Sequence, residues 1–178
     1  MKVGVIGAGT MGAGIAQAFA VTDGYEVVLC DIKQEFADGG KARIQKALDK
    51  QVAKGRMEQA KADGIVDVIL EGIGDLVVEA AIERMDLKQE LFQKLDKICK
   101  PEAILASNTS SLSLTEISKG MSRAVVGMHF FNPAPVMKLV EVIAGMNTKA
   151  ETVERIKEIS VEIGKTPVEV KEAAGFVV

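Results

Sequence analysis

The sequence contains a single histidine, His129, and imidazole is the side chain that most readily exchanges a proton near neutral pH. His129 lies in a strand-like segment, 124–131, and a second such segment, 137–143, follows a proline-rich turn. Folding the two segments as a hairpin symmetric about Pro135 places His129 opposite Glu141 on the same face of the sheet. A carboxylate at that position would orient the ring and stabilise its charged form, which favours a general base.

Ser110 is a second candidate, because it lies in a polar stretch, 107–111, directly after a strand-like segment, 103–106. Ligands of open α/β sheets bind at the carboxyl ends of the strands, so this hydroxyl could hydrogen-bond a substrate oxygen. The G-x-S-x-G pattern of a nucleophilic serine is absent, which argues against a nucleophile. The alternatives are structural: a strand histidine with its hydrogen bonds satisfied, an exposed strand glutamate at Glu141, and a simple polar turn.

The remaining reactive side chains indicate no further chemistry. The two cysteines, Cys30 and Cys99, are not part of a Cys/His cluster, so we expect reduced thiols and no metal site. Lys46, Lys50 and Lys54 are spaced four residues apart in the second predicted helix, a pattern typical of a solvated face.

The composition is that of an ordinary globular domain. The chain has 178 residues, 48% of them hydrophobic and 26% charged, and a net charge of −3. A negative net charge argues against nucleic-acid binding, and no apolar run is long enough to cross a membrane. We therefore expect one domain, a cytoplasmic location, and no nucleic-acid or membrane partner.

The first residues contain a glycine pattern typical of dinucleotide binding. Gly7, Gly9 and Gly12 form G-x-G-x-x-G between a strand-like segment and a small-residue helix, where they allow a tight turn, a close approach of pyrophosphate and close helix packing. A second strand-like segment, 26–30, ends in Asp31, where an acidic residue can accept a hydrogen bond from a ribose 2′-hydroxyl. Asp31 would repel a 2′-phosphate, so NAD is favoured over NADP. A glycine-rich turn with no ligand is the alternative.

Strand-like and helix-like segments alternate along the chain, which predicts a parallel sheet. Helices are expected over 11–20, from about 36, over 85–98, and after two capping boxes at 113–116 and 148–151, the last helix ending at Gly164. Further strands are expected over 75–79 and 167–170, with 65–69 as the only candidate for the third strand of the sheet. The prediction is an α/β fold, a Rossmann-type doubly wound, mostly parallel sheet with a C-terminal hairpin.

Three motifs together resemble those of the 3-hydroxyacyl-CoA dehydrogenases, in particular the bacterial 3-hydroxybutyryl-CoA branch. They are the glycine motif at 7–17, Ala-Ser-Asn-Thr-Ser-Ser at 106–111 and Gly-Met-His-Phe-Phe-Asn-Pro-Ala-Pro-Val-Met-Lys-Leu-Val-Glu at 127–141. The similarity spans nearly the whole chain. It implies an NAD-dependent oxidoreductase that interconverts 3-hydroxyacyl-CoA, specifically 3-hydroxybutyryl-CoA, and 3-oxoacyl-CoA (acetoacetyl-CoA) in fatty-acid or butyrate metabolism.

The resemblance also implies roles for individual residues. His129 would be the general base, Glu141 its partner and Ser110 a hydrogen-bonding partner of the substrate oxygen. Lys54 matches a position that contacts the CoA phosphate, whereas Ala47 stands where some members carry a CoA-contacting serine. Glu83, Lys88 and Asn108 match positions that line the cofactor, and with the motif they complete the expected cofactor-binding set: Gly7, Gly9, Thr10, Met11, Gly12, Asp31, Glu83, Lys88, Asn108 and Asn132.

The family also implies a second domain. It places an all-helical, dimer-forming domain after the NAD-binding domain, and this sequence ends just before the family's catalytic asparagine. We therefore expect residues 1–178 to form the NAD-binding domain, with a hinge at about 172–178, low activity alone and a homodimer in the longer protein. The alternatives are a 6-phosphogluconate-type or nucleotide-sugar dehydrogenase, which shares only the glycine motif, and a module that binds NAD or serves structurally without turnover, as lens crystallins of this family do.

Overall fold

A computed structural model describes residues 1–62, 69–70 and 74–173 of the chain. Within these residues, one sheet contains eight strands. In chain order the strands are β1 (Lys2–Ile6), β2 (Glu26–Cys30), β3 (Ile69–Leu70), β4 (Leu76–Glu79), β5 (Ile104–Ser107), β6 (Val126–Phe130), β7 (Leu139–Ala144) and β8 (Thr166–Lys171). The helices with described bounds are α1 (Thr10–Ala20), α2 (Gln34–Ala53), α3 (Met85–Ile98), α4 (Leu114–Ile117) and α5 (Ala150–Glu162).

The strand order is β3-β2-β1-β4-β5-β6-β7-β8. The strands from β3 to β6 in this order run parallel, β7 pairs antiparallel with β6, and β8 runs parallel to β7. The chain therefore winds outward from β1 in one direction and from β4 in the other, which creates a crevice at the carboxyl ends of these two strands. The predicted doubly wound sheet with an appended hairpin is confirmed.

The core lies on both faces of the sheet, because alternate side chains of a strand point to opposite sides. In β4, Leu76 and Val78 join the larger apolar cluster, which includes Phe19 of α1, whereas Val77 joins a second cluster with Phe92 of α3. All three β4 residues are buried. Burial on both faces explains why the central strands are continuously apolar in the sequence.

Several predicted element boundaries are confirmed. Helix α3 has the predicted bounds, and α1 begins one residue before the predicted start. At the start of α4, the Ser113 hydroxyl accepts a hydrogen bond from the Glu116 amide at 3.1 Å, as the first capping box predicts. Gly164, with φ +72°, directly follows the last turn of α5 and provides the expected left-handed residue there.

The second predicted capping box is wrong. The N-cap of α5 is Lys149, and no side-chain hydrogen bond caps this helix. Thr148 instead accepts a hydrogen bond from the Gly145 amide at 3.0 Å. The Thr148 hydroxyl therefore stabilises the turn after β7 and does not cap α5.

Two predictions fall largely outside the described residues. Of the candidate third strand 65–69, only Ile69 is described, and it belongs to β3, which pairs parallel with β2 at the edge of the sheet. Of the expected hinge at 172–178, only residues 172 and 173 are described. Within the described ranges, no helix has the length and apolar character needed to cross a membrane.

Candidate functional site

The glycine loop joins β1 to α1 at the carboxyl edge of the sheet. Gly7 has φ +100°, and a Cβ atom there would lie 2.7 Å from the carbonyl oxygen of Ala80. A Cβ atom on Gly12 would lie 1.6 Å from the carbonyl oxygen of Gly7, so the helix packs this closely only without a side chain. At Gly9, by contrast, no atom lies within 4 Å of the Cβ position, which leaves the loop open to a ligand at the N-terminus of α1.

Asp31 lies beside this loop at the end of β2. Its Oδ2 accepts a hydrogen bond from the Ala8 amide at 2.6 Å, and its Oδ1 accepts one from the Ile32 amide at 2.7 Å. Gly7 and Asp31 both line a cavity of about 260 Å³. Its apolar walls are formed by Ile6, Ile32, Ala81, Ile82, Leu87 and Leu91, and its polar walls by Lys88, Glu90 and Lys94. The Asp31 carboxylate, held by two backbone amides, therefore lies next to a cavity with apolar walls, called the apolar slot below. A nucleoside requires this combination, since its base is largely apolar and its ribose is polar.

The predicted histidine–glutamate pair lies on the β6–β7 hairpin. The strand register pairs His129 with Glu141, and His129 Nδ1 lies 2.8 Å from Glu141 Oε2. The Glu141 side chain is 2% exposed and the imidazole 14%. Because a carboxylate accepts but does not donate a hydrogen bond, this contact fits the tautomer with the proton on Nδ1, in which Nε2 is the acceptor nitrogen of the ring. The predicted contact is therefore confirmed in register and in distance.

A second cavity, of about 390 Å³, joins the hairpin to the crevice between β1 and β4. Seven of the predicted site residues line it: Met11, Glu83, Lys88, Asn108, Ser110, His129 and Asn132. The other lining residues are Ala80, Ala81, Phe130 and Phe131. Predicted catalytic and cofactor-binding residues thus meet in one cavity, although their roles remain predictions.

Glu83 and Lys88 line this cavity together with the hairpin residues. The Glu83 carboxylate accepts hydrogen bonds from the Thr109 hydroxyl and, at 3.1 Å, from the Ser110 amide, and it lies 3.2 Å from Lys88 Nζ. Burial by itself raises the pKa of Glu83, but these hydrogen bonds and the charge of Lys88 outweigh it and hold the pKa below its ordinary value. Glu83 is therefore a carboxylate that holds the polar stretch 107–111 in place, and this stretch is called the serine-rich loop below.

Asn108 connects this loop to the hairpin. Its side-chain Oδ1 accepts a hydrogen bond from the Phe130 amide at 2.8 Å, and its own amide donates to the Glu79 carbonyl at 2.7 Å. The residue therefore spans the ends of β4, β5 and β6. This contact places the loop next to His129.

Sequence reasoning missed Glu79, which it treated as the end of a buried strand. The side chain is fully buried, with Oε1 2.5 Å from Lys88 Nζ and 2.6 Å from the Ala81 amide, and Oε2 2.6 Å from the Ser107 hydroxyl. The signal in the sequence was an acidic residue at the end of an otherwise apolar strand. Because a buried charge is nearly always paired, this pattern could have predicted a charged partner for Glu79.

Two other predicted residues, Thr10 and Lys54, do not line the 390 Å³ cavity. Thr10 lines a third cavity, of about 190 Å³, with Arg43 and Asn132 among its other walls. Lys54 is the exposed C-cap of α2, and the lining residues of the cavities described above do not include it. Lys46 and Lys50 are also exposed, as expected of a solvated face.

Comparisons with known proteins identify the class to which this fold and site belong. The profile of the NAD-binding domain of 3-hydroxyacyl-CoA dehydrogenase matches residues 2–173. The chain therefore belongs to the 3-hydroxyacyl-CoA dehydrogenase family, as the resemblance predicted, and it comprises an NAD-binding domain.

Several similar proteins are 3-hydroxybutyryl-CoA dehydrogenases. The chain is 45% identical over 187 residues to a 3-hydroxybutyryl-CoA dehydrogenase from Clostridioides difficile, covering 100% of this chain and 66% of that protein. The crystal structure of (S)-3-hydroxybutyryl-CoA dehydrogenase from Ralstonia eutropha superposes with a TM-score of 0.94 at 41% identity, over 99% of this chain and 65% of that one. A 3-hydroxybutyryl-CoA dehydrogenase structure from Escherichia coli K12 gives a TM-score of 0.95 at 40% identity, over 99% of this chain and 39% of that one. The chain thus spans at most about two thirds of these relatives.

Proposed function

We propose that this chain serves the interconversion of a 3-hydroxyacyl-CoA, specifically 3-hydroxybutyryl-CoA, and the corresponding 3-oxoacyl-CoA, with NAD as the cofactor. The observation that carries the proposal is the 2.8 Å contact between His129 and Glu141 on the wall of a cavity shared with the cofactor-site residues. The names of the relatives support this substrate class. Family membership also disfavours the 6-phosphogluconate-type and nucleotide-sugar alternatives.

The residues of the chain fit a dinucleotide that lies across the crevice. Asp31 and the apolar slot beside it would hold the adenosine, with the Asp31 carboxylate accepting from the ribose 2′-hydroxyl. The open Gly9 would face the pyrophosphate. Ala81 and Lys88 line both cavities, and the 390 Å³ cavity would receive the nicotinamide end.

His129 on the hairpin would accept and return the proton that the reaction transfers. NAD, when bound, takes up a hydride from C3 of the 3-hydroxyacyl group. His129 Nε2 would accept the proton of the 3-hydroxyl group, and Glu141 would stabilise the imidazolium that forms. Ser110, exposed on its loop, would hydrogen-bond the same substrate oxygen. In the reducing direction the imidazolium would return the proton to the forming hydroxyl.

We propose that the acyl-CoA is bound in part by a region that the relatives possess and that this chain does not span. The Clostridioides difficile relative is about half as long again as this chain, and we propose that its additional length closes the site over the acyl group. We also propose that Lys54 contacts a CoA phosphate and that the longer protein is a cytoplasmic homodimer. The 178-residue polypeptide should then bind NADH but turn over slowly, because a loosely held substrate can cost on the order of 10²-fold in rate.

The test is steady-state NADH consumption with acetoacetyl-CoA. The 178-residue chain is compared with a chain extended through the region that the relatives possess, each with and without His129→Gln. Activity of the extended chain that depends on His129 supports the proposal. NADH binding without turnover in the extended chain would instead favour the alternative of a cofactor-binding module.

A further inference from the structure

We propose that Glu79 is a positioning residue that holds Lys88 and the serine-rich loop in place for the nicotinamide end of the dinucleotide, an inference that rests on the proposed function. Glu79 itself lines neither the 260 Å³ nor the 390 Å³ cavity. It acts through groups that it hydrogen-bonds, because Lys88 and Ala81 line both cavities.

Glu79 lies where three segments meet at the carboxyl edge of the sheet. Its carboxylate accepts hydrogen bonds from the Ala81 amide on the chain after β4, from the Lys88 ammonium of α3 and from the Ser107 hydroxyl at the end of β5. These donors lie two, nine and 28 residues away along the chain. One carboxylate therefore joins the two strands and the helix that surround the cavity.

The ion pair with Lys88 is the shortest contact of the Glu79 carboxylate. The Lys88 side chain is 2% exposed and that of Glu79 is 0% exposed, and the two charged groups lie 2.5 Å apart. Glu83, the second carboxylate near Lys88, lies further away at 3.2 Å and is 37% exposed. Breaking a buried pair by neutralising one partner leaves an uncompensated charge, which is costly. The position of Lys88 therefore depends mainly on Glu79.

Lys88 occupies a central place in the dinucleotide site, because it lines both the 260 Å³ and the 390 Å³ cavities. A side chain shared by both cavities lies between the part of the site assigned to adenosine and the part assigned to nicotinamide. If Lys88 shifts, we expect the nicotinamide side to be affected more, since adenosine retains Asp31 and the glycine loop.

Glu79 also reaches the serine-rich loop. The Ser107 hydroxyl donates to Glu79 Oε2 at 2.6 Å and accepts from the Thr109 amide at 3.2 Å. The next residues, Asn108 and Ser110, line the 390 Å³ cavity. The same carboxylate thus supports two walls of that cavity.

The experiment compares two ligands on the 178-residue chain. Glu79→Gln retains the size of the side chain and removes its charge. We expect it to weaken NADH binding roughly 10-fold, the order expected for a hydrogen bond to a charged group. Binding of ADP, which lacks the nicotinamide half, should change less than about 2-fold on the same scale. Fluorescence titration gives the NADH affinity, and the emission maximum of bound NADH should shift toward that of free NADH, since it reports the surroundings of the nicotinamide.

Glu154→Gln is the matched control, because Glu154 pairs with Lys157 at 2.7 Å on an exposed face of α5. It should leave both affinities unchanged. Ser107→Ala provides a second variant if Glu79→Gln does not fold, since it removes one donor to Glu79 and keeps the ion pair. We expect Ser107→Ala to weaken NADH binding about 3-fold with ADP binding preserved, a loss at the low end for one hydrogen bond.

The outcomes separate this inference from the proposed function. Equal losses of NADH and ADP binding would show that Glu79 only supports the fold, and unchanged NADH binding in both variants would overturn the positioning role. A wild-type chain that binds neither ligand would contradict the proposed function itself.

Discussion

Two buried glutamates, Glu141 and Glu79, lie at the same edge of the sheet and differ in the partner that each one faces. Glu141 faces an imidazole that is 14% exposed at a cavity wall, whereas Glu79 faces an ammonium that is 2% exposed. An imidazole with access to a cavity can exchange a proton during a reaction. A buried lysine–glutamate pair, by contrast, provides fixed charges and a rigid geometry. Under the roles proposed above, a glutamate would support proton transfer in the hairpin, whereas a glutamate in the β4–α3–β5 cluster would position its neighbours.

The largest expected effect concerns the hairpin. In the extended enzyme, His129→Gln should lower turnover roughly 10²–10⁴-fold, the range for a positioned acid–base group. The NADH affinity should change little, because the cofactor contacts proposed above lie mainly at the glycine loop and Asp31. Stopped-flow reduction of acetoacetyl-CoA, with NADH titration in parallel, measures both quantities. Near-normal turnover would show that His129 is not the base of the reaction.

The next effect concerns the partner of His129. Glu141→Gln in the extended enzyme should lower turnover on the order of 10-fold, because the imidazolium loses a neighbouring negative charge at 2.8 Å. The comparison between the two glutamates predicts that NADH binding is unaffected here, unlike in Glu79→Gln. If Glu141→Gln weakens NADH binding as strongly as Glu79→Gln does, the distinction between the two regions is wrong.

A third prediction concerns cofactor selectivity. Asp31→Ala should weaken NADH binding by about 1.5–3 kcal/mol, as expected for the loss of a charged hydrogen bond. Asp31 also accepts from the Ala8 amide at 2.6 Å, so Asp31→Asn serves as the control that keeps an acceptor for the glycine loop. Titrations with NADH and NADPH measure the selectivity. Equal affinities of the wild-type chain for both cofactors would reject the role of Asp31.

The turn of the hairpin provides a fourth prediction. Lys165 Nζ donates to the carbonyl oxygens of Ala134 at 2.6 Å and Met137 at 2.9 Å, within the turn that follows Asn132. Lys165→Met should destabilise the fold by about 1–3 kcal/mol, because it leaves two acceptors short of a donor. Urea unfolding measures the loss, with the exposed Lys149→Met as the control. A loss no greater than that of the control would mean that the hairpin turn needs no support from the Lys165 side chain.

The smallest expected effect depends on pH and concerns Glu172. Burial by itself raises the pKa of Glu172, but hydrogen bonds from the Thr115 hydroxyl and amide and from the Ser113 hydroxyl lower it below the ordinary value. A carboxyl whose pKa is depressed by folding stabilises the fold above its unfolded pKa, and this stability is lost as the pH falls through the folded pKa.

Glu172→Gln should therefore destabilise the chain by about 1 kcal/mol at pH 7, the size of a typical hydrogen-bond contribution. The difference from wild type should shrink as the pH falls below the ordinary glutamate pKa. Urea unfolding at several pH values measures it. A difference that grows toward acid pH would contradict the assignment.

Much of the hairpin could be predicted from the sequence because its contacts are local. His129 and Glu141 are twelve residues apart, and antiparallel pairing about a short turn leaves few possible registers. The glycine loop could also be predicted from local sequence. A tight turn from a strand into a helix leaves no room for side chains at positions such as Gly7 and Gly12. Thr148 shows the limit, because a local pattern did not reveal that its hydroxyl would bind Gly145 rather than cap α5.

The sequence by itself determined the alternation of strands and helices, the glycine loop, the acidic residue at the end of β2 and the hairpin pair, because each depends on residues close together along the chain. Only the tertiary structure decided that Glu79, Lys88 and Ser107 meet. Parallel strands are joined through long crossovers, so their relative alignment depends on how the whole helix between them packs. Glu79 and Ser107 are 28 residues apart and belong to neighbouring strands, and the buried charge is explained only once that packing is known.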